Sequence, residues 1–116
     1  MKRVYHLSSC STCKKILDQL NLEGVELIDI KVNNIDESTL DWIKEKEGSY
    51  EALFSKRAMK YKSMGLKEKN LKDEDFKQYM LEEYTFLKRP FIINGEEMFI
   101  GNSKKVVEAA IESFNS

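Results

Sequence analysis

The chain carries two cysteines and one histidine, and all three fall within the stretch RVYHLSSCSTCKK that starts at Arg3. Cys10 and Cys13 form a C-x-x-C pair. On a helix that spacing is one turn, close enough for one sulfur to reach the other. If the helix starts between Ser11 and Cys13, its unpaired amides and positive dipole end favour a thiolate at Cys10. A thiolate is a nucleophile, and Cys13 is then placed to attack a mixed disulfide on Cys10 and close an internal one. A metal reading competes with this. A closed zinc site takes four ligands, and two cysteines with His6 fall short unless a second subunit completes the set. The third reading makes the cysteines small helix-start residues without chemistry. His6 divides in the same way: a hydrogen-bonded strand side chain, or a group close enough to tune the Cys10 thiolate. No metal is expected.

The elements that must position these groups can be read from periodicity. Val4, Tyr5 and Leu7 are strand formers followed by the small pair Ser8-Ser9. In CSTCKKILDQLNL, Ile16, Leu17 and Leu20 then fall at helical spacing, with Gly24 as the expected helix end. VELIDI reads as a second strand with a pattern suited to burial in a sheet. This is a βαβ start, which carries the loop holding Cys10 to the carboxyl edge of the sheet, where reactive groups commonly sit. Asp36 caps a helix bearing Leu40, Trp42 and Ile43 and stopped by Gly48. A polar helical middle follows, in which Asp73 starts a helix using Phe76, Tyr79, Met80 and Tyr84. Phe91 to Ile93 and Met98 to Ile100 make a hairpin joined through Asn94-Gly95 and two glutamates. Gly101-Asn102-Ser103 introduces a final amphipathic helix with Val106, Val107, Ala110, Ile111 and Phe114. The order is βα, β, helices, ββα. Pro90, the only proline, stands just before the first hairpin strand, a position that tolerates it.

Composition narrows the setting. With 116 residues the chain is expected to be one domain, with a helical insertion over about 36–85. Nineteen Lys and Arg against 20 Asp and Glu give a net charge of -1, so no global field favours nucleic acid or an anionic membrane. The apolar stretch after Lys2 and Arg3 breaks at His6, which is unlike a secretory signal, and a cytoplasmic protein is expected. A reducing compartment keeps a merely structural cysteine pair as thiols, which favours chemistry over scaffolding.

Three stretches together resemble the ArsC/Spx family, the arsenate-reductase-like branch of thioredoxin-like proteins: VYHLSSCSTCKK, SKRAMKYKSMGL and FLKRPFIINGEEMFIGNSKKVV. The resemblance covers nearly the whole chain, and the last stretch is the most specific. It implies an α/β, thioredoxin-like mixed four-stranded sheet with flanking helices, a helical insertion in the middle of the chain, and Pro90 in cis. A cis X-Pro bond beside a reactive cysteine exposes backbone groups that can hold an extended substrate. Residue by residue, Cys10 matches the family nucleophile, Thr12 a loop threonine of the arsenate reductases, and Cys13 the second cysteine of Spx regulators. Arsenate reductases usually carry serine there and rely on glutathione and glutaredoxin. His6 matches the arsenate-reductase pattern, Arg89 the pre-proline arginine, and Arg57 the arginine of the middle stretch. Arsenate reductases carry a further arginine after the last glycine of the hairpin, where this chain has Asn102.

The expected function is therefore an arsenate-reductase-like thiol redox protein reducing an oxyanion or a disulfide. Cys10 is its nucleophile, Cys13 or glutathione the resolving thiol, and Arg57 and Arg89 hold negative charge through paired hydrogen bonds. Thr12, Pro90, Arg57 and Arg89 form the substrate site, and His6 tunes it. No bound cofactor is expected; the partner is a small thiol or a glutaredoxin or thioredoxin system, without direct nucleic acid or membrane. The competing expectation is an Spx-like redox sensor that binds RNA polymerase.

Overall fold

The computed structural model describes residues 1–116, which divide into two compact units, 1–33 with 89–116, and 34–88. In the first unit the strands are β1 (Lys2–His6), β2 (Glu26–Asp29), β3 (Phe91–Asn94) and β4 (Glu97–Ile100), with the helices α1 (Ser11–Leu17) and α5 (Lys104–Asn115). The sheet runs β2-β1-β3-β4. β1 is parallel to β2 and antiparallel to β3, which pairs antiparallel with β4. It is the mixed four-stranded sheet with flanking helices that the resemblance implied.

Helical spacing explains the core. Ile16 and Leu20 of the first helical segment and Ala110 and Phe114 of α5 bury against Val4 and Ile92 of the central strands, with Leu17, Val107 and Ile111 packed at the margin. Ser103 caps α5 by accepting the Val106 N–H at 3.3 Å. The hairpin turns at Gly95, whose φ of 65° is open to glycine at no steric cost.

Two expectations for this unit need correction. Gly24 does not end the first helix: α1 stops at Leu17, and Gln19 and Leu20 donate back three residues instead of four. The chain leaves because Asn115 of α5 takes over, accepting the Asn21 N–H at 2.9 Å and donating to the Gln19 carbonyl at 3.0 Å. These long-range partners satisfy groups that further helix would have used. Nor is the second strand buried in the sheet. β2 lies at the edge, and Leu27 stays exposed.

The second unit, described by itself, holds α2 (Glu37–Glu47), α3 (Met59–Ser63) and α4 (Asp73–Glu82), with single 3-10 turns at Glu51–Leu53, Leu66–Glu68 and Tyr84–Phe86. Asp36 caps α2, and Gly48 ends it. Asp73 opens α4, but its carboxylate accepts the amides of Tyr50 and Glu51 at 3.1 and 3.0 Å rather than capping its own helix. Tyr84 falls outside α4, in the last 3-10 turn. Phe54 is the centre of this unit, with its ring 4.9 Å from both Phe76 and Phe86 and 5.8 Å from Tyr61. No helix of either unit is long and apolar enough to cross a membrane.

Candidate active site around Cys10

Where β1 ends, the chain turns sharply: the Cys10 N–H donates to the Leu7 carbonyl at 2.9 Å. Ser8 at the tip of that turn donates its hydroxyl to Asp29 Oδ2 at 2.5 Å, and Asp29 Oδ1 accepts the Lys31 N–H at 3.1 Å. One carboxylate at the end of β2 thus ties both loops leaving the parallel pair. The Ser8 hydroxyl, above all, holds the Asp29 carboxyl below the usual carboxylate range, with the Lys31 amide and the charge of His6 adding to it.

Cys10 is the residue before α1, in extended conformation (φ −91°, ψ 114°), and its carbonyl starts the helix by accepting the Lys14 N–H at 3.1 Å. Its side chain is half-buried, while Cys13, one turn on, is completely buried. Both are free thiols. Burial is the largest single influence on the Cys10 thiol and pushes its pKa up. Against it, the sulfur receives hydrogen bonds from the Cys13 amide, the Cys13 thiol, the Arg89 guanidinium and the Thr12 amide, which together bring the pKa below the ordinary thiol value. Cys13 moves the opposite way. Burial first, then the negative charge of Cys10 and the bond to it, push its thiol up to about 11, although the Leu7 amide and the charge of Arg89 oppose the rise. The two adjacent sulfurs thus diverge, Cys10 drawn toward the thiolate and Cys13 toward the protonated thiol that donates to it.

Arg89 is half-buried and is joined to the buried Pro90 by a cis peptide bond. The two carbonyls of this pair are held by the loop after β4: the Gly101 N–H donates to Pro90 O at 2.9 Å, and Asn102 Nδ2 donates to Arg89 O at 3.3 Å.

Of the residues singled out from sequence, Cys10, Cys13, Thr12, Arg89 and Pro90 come together in the first unit. His6 lies in the same unit, half-buried, opposite Asp29 in the β1–β2 register, where its charge bears on that carboxylate. Arg57 belongs to the second unit, exposed in the turn ahead of α3. No three His, Cys, Asp or Glu side chains are grouped to hold a metal ion. Two elements escaped the sequence reading. The Ser8–Asp29 bond joins loops 21 residues apart, and its one signal was an acid at the end of the strand beside the cysteine loop. The hold of Asn102 on Arg89 spans 13 residues, and its signal was the departure from the arginine of the arsenate reductases.

Comparison with known proteins places this geometry. A family model described as the ArsC family matches residues 5–110. An uncharacterised protein of Haemophilus influenzae is 30% identical over 113 residues, covering 95% of this chain and 98% of the relative. An arsenate reductase structure from Vibrio cholerae superposes with a TM-score of 0.76 at 19% identity, covering 96% of this chain and 95% of that one. An arsenate-reductase-related protein from Brucella melitensis superposes with a TM-score of 0.68 at 22% identity, covering 93% and 92%. At these identities the structural likeness concerns the fold.

Proposed function

This chain belongs to the ArsC family, and from that membership we propose that it is an arsenate-reductase-like thiol oxidoreductase acting on an oxyanion or a disulfide. The observation that supports the reading is the split pair of thiols: Cys10 drawn toward the thiolate by two amides, the Cys13 thiol and the Arg89 guanidinium, with the buried Cys13 thiol pushed the opposite way behind it.

With a disulfide substrate, the Cys10 thiolate attacks one sulfur. A Cys10–sulfur bond forms, the substrate S–S bond breaks, and the other sulfur leaves as a thiolate that takes a proton from water. With arsenate, the Cys10 sulfur bonds arsenic while a protonated oxygen leaves as water. A second thiolate then attacks Cys10 Sγ, the S–As electron pair passes to arsenic, As(V) becomes As(III), and two thiols become one disulfide. In both cases Arg89 balances the negative charge gathered at Cys10. Arg57 is assigned to the same oxyanion by resemblance alone, as are Thr12 and Pro90 to substrate contact.

The second thiol is Cys13 or glutathione. Once Cys10 is bonded to substrate its charge is gone, and with it two of the influences that hold the Cys13 proton, leaving burial as the main one. Capture of substrate therefore makes Cys13 a better attacking thiol than it was. The resulting disulfide takes two electrons from a thiol reductant, of the glutathione, glutaredoxin or thioredoxin class. His6 acts by stabilising the Asp29 anchor of the loop, and the reaction runs in the cytoplasm.

The test is consumption of reducing equivalents by the purified protein with arsenate or with a disulfide. Turnover is expected and is abolished by Cys10→Ser; turnover that persists in that variant overturns the mechanism. The same paired thiols also suit an Spx-like sensor of RNA polymerase, in which the disulfide is the output. Retention of the polymerase by the protein in one redox state, with no turnover on either substrate, would favour that second reading.

A further inference from the structure

Arg89 is held to the Cys10 sulfur by a long side chain, so the value of its charge there depends on how firmly its backbone is held. Its downstream side is fixed by the sheet, since Pro90, Phe91 and Ile92 are all buried in or beside β3. Its own carbonyl is held by a different part of the chain. Gly101, buried and with a φ of 90° that favours glycine, donates its N–H to Pro90 O, and the next residue donates its side-chain amide to Arg89 O. Two consecutive residues after β4 thus grip two consecutive carbonyls beside the reactive sulfur. The grip is braced from below, because Ser103 caps α5 and α5 is anchored in the core through Ala110 and Phe114.

We propose that Asn102 is a positioning residue for Arg89: its side-chain amide holds the Arg89 carbonyl and so keeps the guanidinium on the Cys10 sulfur. The neutral amide suits this task, since it offers a donor to the carbonyl without adding a second cation beside the sulfur. The inference rests on the reading of Cys10 as the reacting thiol, and it assigns Asn102 a place in the chemistry without contact with the reacting atoms.

The experiment follows alkylation of the fully reduced protein by iodoacetamide across a range of pH, with mass spectrometry to identify the modified residue. Asn102→Ala is expected to slow alkylation of Cys10 near neutrality about threefold, as loss of one neutral, solvent-accessible hydrogen bond allows, and to move the profile toward higher pH. Arg89→Gln slows it further. In the Arg89→Gln background, Asn102→Ala is expected to have no further effect, because nothing is left for it to position. A merely structural role would lower the melting temperature of Asn102→Ala and leave its alkylation profile on that of the wild type, which overturns the proposal. Additive effects of the two substitutions also overturn it, since Asn102 would then act by another route. Failure of the underlying reading looks different: alkylation that continues unchanged in Cys10→Ser, or a wild-type profile that titrates like an ordinary thiol.

Discussion

Replacement of the buried thiol separates its proton from its packing. Cys13 ionises at about 11 in the folded chain against an ordinary value of 9.0. A group whose pKa is raised by folding gives stability that is complete below its unfolded pKa and is lost as pH rises through the folded one. The window here is therefore from about pH 9 to about pH 11. The difference of the two values makes proton binding by the folded chain about a hundredfold tighter. At about pH 10 the unfolded thiol is mostly ionised and the folded one is not, which costs roughly tenfold in the folding equilibrium, on the order of 1 kcal/mol. Cys13→Ala has no such proton. At about pH 8 it should be the weaker protein, by about 1 kcal/mol, because alanine leaves part of a completely buried site unfilled. At about pH 10 the gap should close, since only the wild type has lost the proton-linked term. The assay is urea unfolding of both proteins under a non-thiol reductant, followed by far-ultraviolet circular dichroism, with equal slopes required before the midpoints are compared. A gap that is the same at both pH values would refute the raised pKa of Cys13, and with it the division of labour between the two sulfurs.

Three further outcomes follow from named contacts. Arg89→Gln removes the guanidinium from the Cys10 sulfur and should slow alkylation near neutral pH about tenfold, a charged hydrogen bond discounted for a half-exposed site; an unchanged pH–rate profile would remove Arg89 from the site. Phe54→Ala empties the aromatic centre of the second unit and should cost about 3–5 kcal/mol in denaturant unfolding. Asp36→Ala removes the cap of α2, which accepts the Thr39 N–H at 3.3 Å, and should cost about 1 kcal/mol by the same measurement, with Asp36→Asn recovering most of it.

What could be read from the sequence was what depends on local pattern. The cysteine spacing, the cap at Asp36, the turn at Gly95 and the 3.6-residue spacing of α5 each sit within one element, and the structure keeps them all. The mixed sense of the four-stranded sheet came from the resemblance, and the strand order came only with the structure, because periodicity does not say which strands are neighbours. What was missed is held by partners far along the chain. Asn115 ends the first helical segment earlier than Gly24 suggests, Ser8 is tied to Asp29, and Asn102 reaches back to Arg89. The edge position of β2 was hidden for the same reason: Leu27 looks like a buried strand position until the sheet order leaves one side of the strand open.

The proposed function assigns the attack to Cys10, with Cys13 the thiol within the chain placed to resolve it. The decisive experiment is intact-mass measurement after brief mixing of the reduced protein with glutathione disulfide, in the wild type, in Cys13→Ser and in Cys10→Ser. The wild type is expected to end as an internal Cys10–Cys13 disulfide, Cys13→Ser to stop with glutathione on Cys10, and Cys10→Ser to stay unmodified. Glutathione on Cys13, or a Cys10→Ser chain that reacts as fast as the wild type, would contradict that assignment.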